Sequence, residues 1–287
     1  MNRNVTAKVK REQLIRDGYC VIENVLDDEL LQGLRDATEK LIKKQTEEEI
    51  KAHRSMGSDI HIFKDPFFVK LILCPKALEA LASLGFPNPK FTSGHIISKP
   101  PHSPRLFWHF DYAGWDDPGC FGETPQQLFL MYYLVDTTPY NGCLRVLPGS
   151  HRHDNPFHEE LGEAHTLELR AGKNMDSSAF SSRPDEIDVP VKAGDLLIGD
   201  ARLIHAAHAN QSPERRTVIT MWYFPDLEAL SEREQAFYAG WGKTARMSED
   251  LNEWPEHVRQ LLEPMWPRYE GNAQPFAFNR IRPMRGE

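Results

Sequence analysis

The stretch Leu106-Phe107-Trp108-His109-Phe110-Asp111-Tyr112 decides how this chain is read. His109 and Asp111 stand two residues apart, so on an extended strand both side chains leave the same face. A histidine and a carboxylate presented together can serve as metal ligands, and His205, far downstream on another apolar run, is a candidate third. Two imidazoles and one carboxylate form the facial set that suits non-haem Fe(II), with coordination positions left open. Taken alone, His-x-Asp is as easily a hydrogen-bonded histidine next to a surface aspartate. Weight comes from flanking Trp108 and Phe110, from the later strand carrying His205, and from the basic pair Arg215-Arg216 just beyond it.

Outward from that stretch, the chain from Phe91 onward is a series of short apolar runs separated by Pro, Gly and Asp turns. Strands are predicted at Thr92–Ser98, Leu106–Asp111, Leu128–Asp136, Cys143–Leu147, Ile187–Val191, Leu196–Gly199, Ile204–Ala207 and Thr217–Phe224. Such a set predicts a mainly β fold with flanking helices, its core a double-stranded β-helix of the jelly-roll, cupin-like kind. One domain is expected, with a helical scaffold over 1–86, the β core over 87–225 and a helical extension over 226–287. The polar segment 152–190 is too long for a structureless connection and predicts a helix or an ordered lid. Its His153, His158 and His165 are ligand types, but their spacing singles none out.

In the scaffold, Lys8–Asp17 predicts a helix and Tyr19–Ile22 a strand. Asp27 can cap a second helix whose Leu30, Leu31, Leu34, Ala37, Leu41 and Ile42 repeat at helical spacing. Phe67–Ala82 predicts two helices divided by Pro75. Beyond the core, Glu232–Gly240 and Glu253–Leu262 are helical in pattern, and Phe276–Glu287 reads as irregular and partly mobile.

The formal net charge of -8 argues against general affinity for nucleic acid or anionic membrane and favours a small-molecule substrate. Neither a secretory leader nor a membrane-spanning run is evident, and Cys20, Cys74, Cys120 and Cys143 are dispersed. A cytoplasmic protein, monomeric or homodimeric, is the expectation.

Several further residues stand out around the core. If Thr217–Phe224 is a strand, Arg216, Val218 and Thr220 share a face, so Arg216 can point inward while Arg215 points out. Gln127, Phe129, Met131 and Tyr133 likewise share the inner face of their strand. His208 competes with His205 as metal ligand, but three residues along a strand place the two on opposite faces, so His208 is expected instead to approach substrate or to pair with a polar group. Tyr112 and Trp115, just past Asp111, are candidates for the substrate entrance. The Asn141-Gly142 and Pro148-Gly149 pairs mark tight turns, and His151 beside them is a candidate support for the ligands.

Three segments, Trp108-His109-Phe110-Asp111, Asn141 to His151, and Gly194-Asp195-Leu196-Leu197 leading to His205, together with Asn210, Ser212 and Arg216, resemble the phytanoyl-CoA dioxygenase family of Fe(II)- and 2-oxoglutarate-dependent oxygenases. The resemblance extends from Asp17-Gly18-Tyr19 to Trp222. It implies that His109, Asp111 and His205 hold iron, that Arg216 takes the distal carboxylate of 2-oxoglutarate, and that O2 is a co-substrate. The planar guanidinium fork is chemically suited to that carboxylate. Gln127 is a further candidate contact to 2-oxoglutarate or to water on the iron. The implied reaction hydroxylates an unactivated C–H bond and releases succinate and CO2, with desaturation, cyclisation or epimerisation as alternatives on the same cofactors. The presence of Asp111 disfavours halogenation, for which related enzymes lack that carboxylate. A metalloenzyme that uses no 2-oxoglutarate and a catalytically silent binding protein of the same fold are the competing readings.

Overall fold

The computed structural model describes residues 3–285. Its ten strands are β1 (Tyr19–Ile22), β2 (Ile60–His61), β3 (Lys90–Lys99), β4 (Leu106–His109), β5 (Leu128–Tyr133), β6 (Leu144–Val146), β7 (Ile187–Val189), β8 (Leu196–Asp200), β9 (His205–Ala207) and β10 (Arg216–Phe224). They form a six-stranded sheet in the order β1-β8-β5-β10-β3-β2 and a four-stranded sheet in the order β4-β9-β6-β7, with antiparallel pairing throughout. Nine of the ten fall where strands are predicted, β2 being the exception, and the jelly-roll core with flanking helices is present.

Burial on two faces explains why β5, Leu-Phe-Leu-Met-Tyr-Tyr, is apolar without a break. Leu128, Leu130 and Tyr132 join the main core under the helices, whereas Phe129, Met131 and Tyr133 face the four-stranded sheet. β10 divides in the same way, with Ile219, Met221 and Tyr223 outward and Val218 inward. The outer face is covered by α1 (Arg3–Asp17), α2 (Asp28–Ile42), α4 (Val69–Ile72) and α5 (Pro75–Ser83), whereas α3 (Glu47–Ala52) buries no side chain. Asp27 caps α2 by accepting from the Leu30 amide, and Leu31, Leu34, Ala37, Thr38 and Leu41 make its buried stripe.

The segment between β6 and β7 is ordered by α6 (Phe157–Leu161) and α7 (Leu167–Arg170), and Ala164 and Phe180 pack on Phe107. After the core come α8 (Glu232–Arg246), α9 (Glu249–Asn252) and α10 (Glu256–Leu261). The single helix predicted over Glu253–Leu262 starts late because Pro255 sits at its N-terminal boundary.

Two departures bear on the site. β4 ends at His109, so Asp111 does not sit on a regular strand; the amides of Asp111 and Tyr112 both donate to the Ala201 carbonyl. The C-terminal segment is irregular in backbone, as expected, yet it is tied down: the Asn279 amide donates to Ala113 O and Arg282 pairs with Asp154 at 2.7 Å. Residues 286 and 287 lie outside the described residues.

Candidate active site

His109 and His205 are brought face to face by the pairing of β4 with β9, in which they are direct partners. Their rings lie 4.2 Å apart. Each ring approaches the carbonyl two residues before it, His109 Nδ1 at 3.0 Å from Phe107 O and His205 Nδ1 at 3.0 Å from Leu203 O. A carbonyl only accepts, so both Nδ1 atoms carry the proton and both Nε2 lone pairs are free. Those Nε2 atoms converge on Asp111, at 3.7 Å for His109 and 3.9 Å for His205. Burial, with His205 and His165 alongside, pushes the His109 imidazolium well below its ordinary range, so the ring is neutral as a ligand must be. Asp111 is aimed by Trp222 of β10, whose indole Nε1 donates to Oδ2 at 2.9 Å.

A cavity of about 240 Å³ runs from this trio to Arg216 at the start of β10, and Gln127, Met131, Tyr133 and Val218 help line it. Arg216 is buried, makes no ion pair among the described residues, and its Nε has no hydrogen-bond partner. Burial lowers its pKa from the ordinary 12.5. Such a cation is costly unless a ligand supplies the counter-charge. Gly142, with φ of +95°, allows the turn before β6 to pass close by; a Cβ there would stand 3.5 Å from Arg216 Nε and 3.1 Å from His208 O. Behind the histidines, Gly199 permits the Phe129 ring to fill the space a side chain would occupy, and that ring lies 4.7 Å from His205. Asn210 joins the ends of this region, its Nδ2 donating to Glu214 O and Lys99 O while Oδ1 accepts from Ser212.

Tyr112 and Trp115 do not line the cavity, which corrects their expected place at the entrance. The alternation that joins His109 to Asp111 sends Trp108, Phe110 and Tyr112 together to the opposite side, where they pack with Trp115 in a separate core. There Tyr112 hydrogen-bonds Gln126 and Glu234. His208 is also off the cavity: it faces away from His205 and bonds Asp188 at 2.6 Å, with Cys143 nearby. His151 lies outside it too, held by Ile15 O at 3.0 Å.

Several residues on the cavity wall were not assigned to it from sequence, among them Trp222, His165, Arg170 and Arg280. Trp222 continues the inward row Arg216, Val218, Thr220, so its position was recoverable from alternation. His165, Arg170 and Arg280 come from the long insertion and the C-terminal segment, where no periodicity indicates direction. His165 has a ligand atom within 4.8 Å of those of His109 and Asp111, and is therefore a rival to His205 by proximity. Its Nε2, however, lies 3.3 Å from Phe110 O, and it is carried on a connection instead of a strand. The fixed β4–β9 register favours His205.

Fold and site define a double-stranded β-helix whose interior joins a histidine–carboxylate cluster to an uncompensated arginine. The chain belongs to the phytanoyl-CoA dioxygenase family: the model for Phytanoyl-CoA dioxygenase (PhyH) matches residues 14–218. Among individual proteins, it is 24% identical over 239 residues to an ectoine dioxygenase of Nocardia farcinica, covering 76% of this chain and 79% of that one. It is 24% identical over 225 residues to an L-proline trans-4-hydroxylase of Streptomyces griseoviridis, covering 72% and 82%. The crystal structure of the non-haem alpha-ketoglutarate-dependent epimerase SnoN from nogalamycin biosynthesis superposes with a TM-score of 0.57 at 20% identity, covering 77% of this chain and 83% of that one.

Proposed function

We propose that this protein is an Fe(II)- and 2-oxoglutarate-dependent dioxygenase that hydroxylates an unactivated C–H bond of a small molecule. In this reading His109, Asp111 and His205 hold the iron, and Arg216 holds the distal carboxylate of 2-oxoglutarate. The observation that carries it is one cavity with a pre-oriented His–Asp–His cluster at one position and a buried arginine without a counter-ion at another. The donor set fits Fe(II), and the orphaned guanidinium fits a carboxylate. Relatives named for ectoine and L-proline support a small-molecule substrate.

When bound, iron with 2-oxoglutarate and O2 supplies the oxidising power, with succinate and CO2 as co-products. The chain's part is to position and exclude. Phe107 and Leu203 carbonyls hold the two imidazoles in one tautomer, and Trp222 fixes the carboxylate. Met131, Leu144 and Val218 give an apolar wall beside Arg216, which keeps water from screening that charge. Gln127, also on the wall, is a candidate polar contact to the co-substrate or to water at the metal. Among the described residues no helix is long and apolar enough to cross a membrane. Four free, buried cysteines support a reducing, cytoplasmic setting.

The test is turnover of 2-oxoglutarate with Fe(II) and a panel of small molecules, scored for succinate and for product mass. Asp111→Ala should abolish substrate-coupled succinate, while Arg216→Ala should chiefly raise the 2-oxoglutarate requirement. Unchanged kinetics in both variants would sink these assignments.

A further inference from the structure

The same cavity is lined by Asp59, by Arg170 at the end of α7, and by Arg280 from the C-terminal segment, all three half-buried where the metal cluster and Arg216 are buried, so they mark its solvent-facing mouth. Asp59 is already engaged. It accepts from His95 Nδ1 at 2.5 Å and from Arg170 Nη1 at 2.9 Å, and faces His53 Nε2 at 3.7 Å. Burial alone would raise this carboxyl, but those partners hold it down at about 2, so it is ionised and its charge is matched by Arg170.

Arg280 has no such partner. It makes no ion pair among the described residues, and its Nε is buried without a hydrogen bond. The acids that attract it, Asp111 and Glu163, do so from beyond pairing distance, and Arg170 repels it. Its placement is nonetheless fixed on both sides. Asn279 donates from its amide to Ala113 O at 3.0 Å and from Nδ2 to Asp116 Oδ1 at 2.8 Å, while Arg282 pairs with Asp154 at 2.7 Å. The guanidinium itself rests 4.9 Å over the Phe278 ring. Holding a partly desolvated arginine at a cavity mouth without a counter-ion is unfavourable in the empty protein and favourable when an anion arrives. The co-substrate does not meet that need, because Arg216, beside Tyr133 and Cys143, is its partner in a different part of the cavity.

We infer that the substrate carries an oxyanion, a carboxylate or phosphonate, that pairs with Arg280 at the mouth while the rest of the molecule extends toward the metal cluster. The inference rests on the dioxygenase reading for its distinction between substrate and co-substrate. Trp222 and Trp241 add flat apolar surface to the cavity wall.

The test is anaerobic calorimetry on the full chain with Fe(II) and saturating 2-oxoglutarate, so that Arg216 is occupied. The probes are matched pairs: benzoate and benzamide, L-proline and L-prolinamide, phenylphosphonate and its dimethyl ester. The expected result is that at least one acid binds about ten- to a hundredfold more tightly than its amide or ester partner, which lacks the oxyanion. Arg280→Gln should erase that preference and Arg280→Lys should keep part of it, with 2-oxoglutarate affinity measured in each as the control. Normal 2-oxoglutarate binding with no acid preference in any pair, including no binding at all, overturns this inference alone. So does a preference that survives Arg280→Gln. Failure of the wild-type protein to bind 2-oxoglutarate overturns the dioxygenase reading and this inference with it.

Discussion

Arg216→Met should move binding and stability in opposite directions. The side chain is buried, no acid pairs with it, and its Nε has no acceptor. Methionine fills similar space without charge, so the empty protein loses an uncompensated buried cation. Replacing buried charge by well-packed apolar groups is often stabilising by about 1–4 kcal/mol. At roughly 2 °C per kcal/mol for a large domain, Tm of the ligand-free protein should rise by several degrees. Binding should move in the opposite direction. Truncating one partner of a buried charge pair costs about 2–5 kcal/mol, or roughly thirtyfold to several thousandfold in Kd for 2-oxoglutarate. Thermal melts with and without 2-oxoglutarate, under anaerobic Fe(II), read both effects in one series: the wild type starts lower and gains, the variant starts higher and does not. A variant that melts lower than wild type and keeps its affinity for 2-oxoglutarate would refute the assignment of Arg216 as a cation awaiting its ligand.

Other outcomes follow from neighbouring contacts. His205→Ala should lose metal by equilibrium dialysis while His165→Ala retains it; the reverse order would transfer the third ligand to His165. Trp222→Phe removes the 2.9 Å bond that aims Asp111 and should weaken metal affinity about 10–100-fold with little change in Tm. Asp200→Asn leaves Arg202 unmatched in a buried 2.6 Å pair that also ties Cys120 and Gly122 carbonyls behind the metal loop. A loss of about 3–5 kcal/mol in denaturant unfolding is expected. Burial pushes the Glu234 carboxyl up from the ordinary 4.5 to about 7. The folded state therefore holds this proton more tightly than the unfolded chain. Its contribution, up to about 3 kcal/mol, is fully present below pH 4.5 and lost as pH rises through about 7. Glu234→Gln should flatten that part of the stability–pH curve; an unchanged slope would show that the proton sits elsewhere.

Burial raises the Glu234 carboxyl against the opposing pull of its hydrogen bonds from Tyr112 and Ser231. Tyr112 has one hydroxyl proton and faces both Gln126 and Glu234. If that proton goes to Gln126, a protonated Glu234 can donate to the phenol oxygen, and both contacts are satisfied.

Much of the fold was legible because both faces of the six-stranded sheet are buried, which leaves unbroken apolar runs such as Leu128–Tyr133 bounded by turn residues. The His109–Asp111 pairing and the inward row from Arg216 were legible through the two-residue period of a strand. The same period, applied one residue further, would have sent Tyr112 to the back of the site with Trp108 and Phe110. It was missed because a residue just past a ligand looks near the ligand in sequence. His165, Arg170 and Arg280 could not be found that way. They arrive from an insertion and an irregular C-terminal segment, and their direction is set by contacts such as Asn279 with Ala113 that join residues distant in the chain. β2 was too short, at two residues, to leave a pattern.

The most direct measurement is turnover under isotopically labelled O2 with Fe(II), 2-oxoglutarate and an accepted small acid. One oxygen atom of O2 should appear in succinate and the other in a hydroxylated product, and both labels should vanish together in His109→Ala and His205→Ala. Product formed without consumption of 2-oxoglutarate, or unlabelled succinate, would contradict the dioxygenase reading.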